Sequence, residues 1–339
     1  MDIAVVITVR NDPWVLDCIA AVLEQEVPFH FEVHVADNSS DDQTPELLRT
    51  AYGRHPRVHL SKTVGNLSQS WNAAAQATKA TILVRVDADA IPVPGWLMAL
   101  TRPLIERRSD WSAGPAGGAK SQASLVARYF EARTEAYSRR LASEPELRDA
   151  VPSWNVAYQR SALDLAGWYD PWQASSVDWD LHKRLRRAGL KGMFVPDARV
   201  LHRHPATIRE LARREAWYRT GHYQMFLKYG LREMIPALVV PGAYALVILL
   251  ALLGIAWPVF WWLGLILVVA LSVKHMIEGL REQDPLWPLR AVFRPLEGVA
   301  GLFGFARGLF RYGIRRRPLP SRITSPFGDE KCDDRRRTS

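Results

Sequence analysis

The stretch Thr81-Ile82-Leu83-Val84-Arg85-Val86-Asp87-Ala88-Asp89-Ala90 narrows the possible folds more than any other part of the chain. Its apolar, β-branched body reads as a strand buried on both faces, which belongs in a parallel sheet, and parallel neighbours need crossover helices. The preceding residues supply them. Ile3 to Val9 is a continuous apolar strand, after which Asp12 can cap and Pro13 can open a helix running to about Gln25. Phe31, Val33 and Val35 alternate with Glu32 and His34 in a second strand that ends at Asp37. Residues 46–52 form a helix, 58–60 a short strand and 68–78 a helix leading into the central strand. This alternation specifies an α/β fold, a Rossmann-like mostly parallel sheet flanked by helices.

Ligands of such sheets bind beyond the carboxyl ends of the strands, where Asp87 and Asp89 stand. Strand alternation points both to one side, with small Ala88 between them leaving room. Two like charges so close repel unless a cation lies between them, and a hard divalent ion carrying phosphate oxygens, Mg²⁺ or Mn²⁺, meets that need. A solvated acidic turn is the alternative. No glycine-rich GxGxxG or P-loop follows the first strand, so a nucleotide would be held by side chains.

The chain has 339 residues, a net charge of +9 and two cysteines, Cys18 and Cys332, too far apart for a disulfide framework or a metal-ligand spacing. Its first residues lack the basic and apolar segments of a signal peptide, so none is expected. Residues 235–273 are almost free of charge and about twice as long as one membrane crossing needs. Gly254-Ile255-Ala256-Trp257-Pro258 divides them into two expected transmembrane helices, 235–253 and 259–273, with Trp257, Trp261 and Trp262 as an interfacial belt by the turn. A buried pair in a soluble protein is the alternative. Basic residues flank both outer ends, among them Arg213, Arg214 and Lys228 before and Lys274, Arg281 and Arg290 after. That places both flanks in the cytoplasm and predicts a multi-pass protein of the cytoplasmic membrane whose α/β portion faces the cytosol. Anionic membrane lipids then suffice as the partner of the basic charge, and no nucleic acid is needed. Residues 285–314 mix aromatics with arginines at intervals that predict an interfacial amphipathic helix, and 315–339 a disordered basic tail.

Between these parts, residues 121–141 read as a long helix. Residues 151–158 and 165–171 read as loops whose aromatics could wall a cleft for sugars or lipids. Ser175 and Asp178 form a capping-box pattern, with Leu181, Leu185 and Ala188 as the inward face and Gly189 as the C-cap. Asp178 borders that face and can look into a cleft, or it serves only the helix dipole, whereas Asp180 lies about 200° away from it. Residues 194–202 form a last strand ending in His202. Arg213 and Trp217, four apart on the next helix, could frame a diphosphate or an acceptor, or sit on the membrane surface.

Taken together, these pieces resemble glycosyltransferase family 2 of the GT-A fold over roughly residues 1–230. The resemblance rests on Val9-Arg10-Asn11-Asp12, Asp37-Asn38-Ser39-Ser40-Asp41, Asn72, Asp87-Ala88-Asp89, Asn155 with Tyr158, Asp178-Trp179-Asp180-Leu181, and Val195-Pro196-Asp197 leading to His202. The apolar hairpin adds a similarity to bacterial and archaeal members that act on lipid-linked or cell-envelope acceptors. The resemblance implies a nucleotide-diphosphate sugar donor held along Val9, Arg10, Asn11, Asp37, Asn72, Asp87 and Ala88. Asp37 would contact the base, Asp87 the ribose or metal, and Asp89 with His202 the metal, Mn²⁺ or Mg²⁺. Asp178 would be the general base of an inverting transfer, with Asn155, Trp179, Arg213 and Trp217 near the acceptor or diphosphate. Val177 stands where members often have Glu, and the Gln-x-x-Arg-Trp segment of processive synthases is missing, which favours a single transfer. A metal-dependent nucleotidyl- or phosphotransferase and an inactive membrane scaffold of the same fold are the rival functions.

Overall fold

The structure, a computed structural model, describes residues 2–118, 124–147 and 150–315. Residues 121–123, the tail expected to be disordered and Cys332 lie outside them.

The first half builds as its alternation dictates. Strands β1 (Ile3–Val9), β2 (Phe31–Asp37), β3 (Val58–Lys62) and β4 (Ile82–Val86) run parallel, with helices α1 (Val15–Leu23), α2 (Thr44–Tyr52) and α3 (Leu67–Ala77) as crossovers. β1 is buried on both faces: Ile3, Val5, Ile7 and Val9 pack with Val15, Ile19 and Val22 of α1, while Ala4 and Val6 pack with Trp71, Ala74 and Ala75 of α3. At ~1.5–3 kcal/mol for each fully buried aliphatic side chain, this double burial is what fixes the strand centrally.

The central run is shorter than its composition implies. Pairing with β1 ends at Arg85 and with the strand on its other side at Val86, so the chain turns at Asp87-Ala88-Asp89, closed by the Ala90 N–H donating to the Asp87 carbonyl at 3.0 Å. It resumes as β5 (Ala90–Pro92) in a second sheet, followed by α4 (Trp96–Ile105), β6 (Trp111–Ala113), β7 (Ala116–Gly118) and α5 (Leu125–Ser143).

Residues 151–158, expected as a loop, contain β8 (Asn155–Gln159), an antiparallel strand wedged between β4 and β6. Tyr158 is core here, because its side chain faces Trp71 and Tyr169. α6 (Arg160–Ala166) and α7 (Val177–Arg187) follow. The expected strand at 194–202 is two strands in different sheets, β9 (Gly192–Phe194) beside β6 and β10 (Val200–His202) between β5 and β7. The large sheet has the order β3-β2-β1-β4-β8-β6-β9 and the small one β5-β10-β7. This is the mixed, mostly parallel α/β architecture of the GT-A kind.

Helix α8 (Ile208–Tyr229) leads through Gly230 into α9 (Leu231–Leu253), the turn at 254–258 and α10 (Val259–Arg281). Among the described residues only α10 is long and apolar enough to cross a membrane; the apolar part of α9 is the shorter Leu238–Leu253. The expected two crossings therefore reduce to one candidate span with a shorter apolar partner, and a multi-pass arrangement is not supported. α11 (Arg290–Gly308) does not lie apart as an isolated amphipathic helix. It packs along α8, and a Cβ at Gly304 would stand 2.1 Å from the Ala216 carbonyl oxygen, so the two backbones touch where only glycine fits. Arg133 of α5 donates to both carboxylate oxygens of buried Glu297 on α11, which joins this helical layer to the α/β part.

Candidate active site

Strand register assembles the acidic centre. β10 runs antiparallel to β5 with His202 opposite Ala90, so its imidazole arrives beside the residue just before Ala90. His202 Nε2 lies 3.3 Å from an Asp89 oxygen and 3.6 Å from an Asp87 oxygen. Its Nδ1 lies 2.7 Å from the Arg203 carbonyl, which can only accept, so Nδ1 carries a proton and Nε2 is the ring atom turned to the carboxylates. The ligand atoms of Asp87, Asp89 and His202 all fall within 4.8 Å of one another. Two carboxylates and an imidazole so oriented fit a divalent ion, and the nitrogen ligand suits Mn²⁺ better than Mg²⁺.

The charges around the centre are unequal. Burial raises the Asp87 carboxyl, but the Arg85 guanidinium and His202 outweigh it and hold the group below the usual aspartate range. Burial, with Asp87 adding to it, pushes Asp89 upward despite His202. Burial lowers His202, but its two carboxylate neighbours more than reverse that. Arg85 comes from the apolar run itself: it is 4% exposed, donates from Nη2 to Asp87 at 3.3 Å and lies over the Tyr169 ring. Its Nε has no partner among the described residues.

Asp178 faces the centre across the same cleft. The Asp87 N–H donates to the Trp154 carbonyl at 3.1 Å, and the neighbouring Ser153 N–H donates to Asp178 Oδ2 at 3.2 Å. Two successive residues of one segment thus tie the metal-type acids to Asp178. The capping box expected at Ser175 does not form. Ser176, in left-handed conformation at φ +56°, is the N-cap, and Ser175 Oγ instead donates to the Trp217 carbonyl and accepts from Gly221 N–H. A Cβ on Gly221 would lie 2.2 Å from the Ser175 carbonyl oxygen, so this contact sets how deeply α8 docks. Burial raises the Asp178 carboxyl above the usual range, with Arg85 and the backbone N–H groups of Trp179, Ser153 and Asp178 itself opposing.

The cleft holds ≈ 370 Å³ and is lined by Val9, Arg10, Asp87, Ala88, Asp89, Asp178, His202 and Trp217 among the residues picked out in the sequence. Arg85, Arg214 and Tyr218, which were not expected as site residues, line it as well, together with Asp12 and with Trp154, one of the aromatics expected to wall a cleft. Arg213 is exposed and its neighbour Arg214 turns inward, because the Ser175 contact fixes the rotation of α8. Asp37, buried at the end of β2, is the register partner of Val9 and accepts from Ser40 N–H at 3.0 Å; Asn11 braces the same loop through the Ser40 hydroxyl and Asp41.

Asn11, Asp37, Asn72, Asn155, Trp179 and Arg213 are not among the residues lining the cleft. Asn72 donates to the Tyr169 carbonyl at 2.7 Å. Asn155 accepts from Trp96 Nε1 at 2.7 Å and donates to the carbonyls of Pro115 and Ala198, so it fastens the two sheets together. Trp179 packs edge-on to His222. Asp180, expected away from the inward face, is 1% exposed and accepts from Arg184, Lys228 and Tyr229, because α8 covers that side of α7.

At the strand ends of this α/β sheet, an acidic, metal-type centre and the buried Asp178 carboxylate line one cleft. The family model for glycosyltransferase like family 2 matches residues 2–220, well over half of the chain, and the chain belongs to that family. The protein is accordingly a glycosyltransferase. Among solved structures it is similar to the mannosyltransferase PcManGT from Pyrobaculum calidifontis, in complex with GDP-Man and Mn²⁺, at 18% identity and a TM-score of 0.56, with 89% of this chain and 87% of that one covered. It is also similar to GalNAc-T7 with UDP, GalNAc and Mn²⁺, at 16% identity and a TM-score of 0.48, covering 65% of this chain and 50% of that one. No curated protein matches the sequence.

Proposed function

We propose that the protein transfers one sugar from a nucleotide-diphosphate donor to a hydroxyl of a lipid-linked or cell-envelope glycan acceptor, inverting the anomeric carbon. The observation that carries this reading is that Asp87, Asp89 and His202 converge in a cleft that Asp178 also lines. The nucleotide lies along Val9 and Asp37, with Asp37 on the base, and Arg10 and Arg214 contribute positive charge around the diphosphate. Asp87, Asp89 and His202 would hold Mn²⁺ or Mg²⁺, which would neutralise charge on the departing diphosphate. The donor and ion of the Pyrobaculum mannosyltransferase make GDP-mannose with Mn²⁺ the first pair to try.

Asp178 takes the proton from the acceptor hydroxyl as that oxygen attacks the anomeric carbon. The bond from that carbon to the diphosphate oxygen breaks on the opposite face, which inverts the anomer. The exposed apolar faces of α9 and α10, with Trp257, Trp261 and Trp262 at their turn, attach the protein to the cytoplasmic side of a membrane. Trp217 and Tyr218 of α8 line the cleft on the helix that runs directly into α9, so the acceptor hydroxyl arrives from the lipid side.

The test is release of free nucleoside diphosphate by the detergent-purified full chain, with Asp178→Asn as comparison. That variant keeps donor binding and loses about 10²–10⁴-fold in turnover, the usual contribution of a general base. Turnover within a few-fold of the parent removes Asp178 from the role.

A further inference from the structure

A second cluster of ligating side chains lies on the outer strands, away from the cleft. Glu32 and His34 are two apart on β2 and so share a face. His59 on β3 is the register partner of His34, which brings the two imidazoles face to face at 4.6 Å between ring centroids and 28° between planes. Glu32 Oε2 lies 3.2 Å from His34 Nε2 and 3.6 Å from His59 Nε2, and the three ligand atoms fall within 4.8 Å of one another. A tetrahedral ion with nitrogen and oxygen ligands at about 2.0–2.1 Å sets neighbouring ligand atoms roughly 3.3–3.4 Å apart, between the two spacings seen. Among the described residues Glu32 has no lysine or arginine partner, so both of its ion-pair contacts are imidazoles. His34 is buried and His59 half exposed, which leaves a fourth position open to water.

We propose that Glu32, His34 and His59 form a binding site for a transition-metal ion of the Zn²⁺ class, separate from the cleft, that clips edge strand β3 to β2. The geometry explains what the site does. β3 closes the large sheet on one side, with β2 as its one neighbour there, and His59 through Lys62 are exposed. A shared ion adds a cross-strand link to a strand that otherwise has the backbone ladder and few side-chain contacts. Two imidazoles with one carboxylate select Zn²⁺, Ni²⁺ or Co²⁺ over Mg²⁺ and Ca²⁺. The site lies upstream on the strand that ends at Asp37: His34 precedes it by three residues, about 10 Å at the rise of a strand.

The experiment uses the metal-stripped full chain in detergent, titrated with Zn²⁺ alone and then with Co²⁺ alone. Because the cleft also takes a metal, Asp89→Ala and His59→Ala are compared side by side. The proposal expects Asp89→Ala to retain one equivalent of Zn²⁺, its thermal stabilisation by Zn²⁺ and the visible absorption of four-coordinate Co²⁺. His59→Ala and the near-isosteric His59→Gln lose that equivalent and that absorption, while keeping the parent's circular dichroism. Equal Zn²⁺ stoichiometry and equal thermal shift in the parent and the folded His59 variants overturn it. So does a Co²⁺ spectrum that His59→Ala leaves unchanged. Neither outcome depends on the glycosyltransferase reading, since no donor or acceptor is present.

Discussion

As the proposed general base, Asp178 would have to lose its proton to act, and it sits where burial opposes that loss. With its folded-state value raised above the usual aspartate range, the acidic limb of kcat/KM falls at higher pH than an exposed aspartate would give. Arg85 is the charge that counters burial, so Arg85→Gln moves the limb further up, and a pH-rate profile of the two proteins checks the shift. The stability sign follows from the same direction. A raised acid favours the folded state below its unfolded value, and that contribution is lost as pH rises through the folded one. Thermal midpoints of the parent and Asp178→Asn across this window should therefore diverge, the parent falling relative to the variant with rising pH. A constant gap would contradict the assignment.

Asp180 titrates in the opposite sense. Burial raises it, but Lys228 and Arg184 outweigh burial and hold the carboxyl well below the ordinary range. Its contribution is present above the unfolded aspartate value and is lost as pH falls through the folded one. Asp180→Ala leaves two cations without their buried partner and costs roughly 3–5 kcal/mol in a denaturant titration. These residues also mark what the sequence can and cannot say. The helix that carries Asp178 and Asp180 is readable from its own periodicity, yet the burial of Asp180 depends on Lys228 and Tyr229 of α8, 48 and 49 residues later. Arg213 and Arg214 are indistinguishable by type, and only the docking of α8 on Ser175 selects Arg214. Arg85 did leave a signal: it is the lone charge in an apolar strand, a place where an unpaired cation is too costly to keep.

At the scale of elements, the strands of the first half are legible because double burial demands unbroken apolar runs. β8 is less so, since its short antiparallel run reads equally well as a loop with aromatic walls. Asn155 begins that strand, and its hydrogen bonds serve the joint between sheets. α11 carries the mixture of aromatics and arginines that a lipid interface shares with a helix packed on protein. Its small residues are the distinguishing mark. Gly304→Ala introduces a Cβ at 2.1 Å from a backbone oxygen of α8, which neither side chain nor rotamer can relieve. The expected cost is about 1–3 kcal/mol, seen as a lowered thermal midpoint with the α/β part otherwise intact. An unchanged midpoint would mean that α8 and α11 do not touch there in solution.

At the scale of the whole molecule, an α/β transferase part and an apolar helical layer are joined by α8, which lines the cleft at one end and enters α9 at the other. If α10 holds the protein in lipid, the paired change Leu265→Asp with Val269→Asp, on its exposed face, abolishes co-flotation with vesicles, since each buried acid opposes insertion by about 2.5–3.5 kcal/mol. Retained flotation would assign attachment to another surface.

Donor binding in the cleft, through a metal held at Asp87, Asp89 and His202, is the step on which the proposed transfer depends. Its most direct test is thermal stabilisation of the detergent-purified full chain by GDP-, UDP-, dTDP- and CDP-sugars, each with and without Mn²⁺, repeated on Asp89→Ala. Stabilisation by one nucleotide class that requires Mn²⁺ and disappears in Asp89→Ala is the expected result. Stabilisation that persists without the metal, or in Asp89→Ala, would contradict it, as would no response to any donor from folded protein.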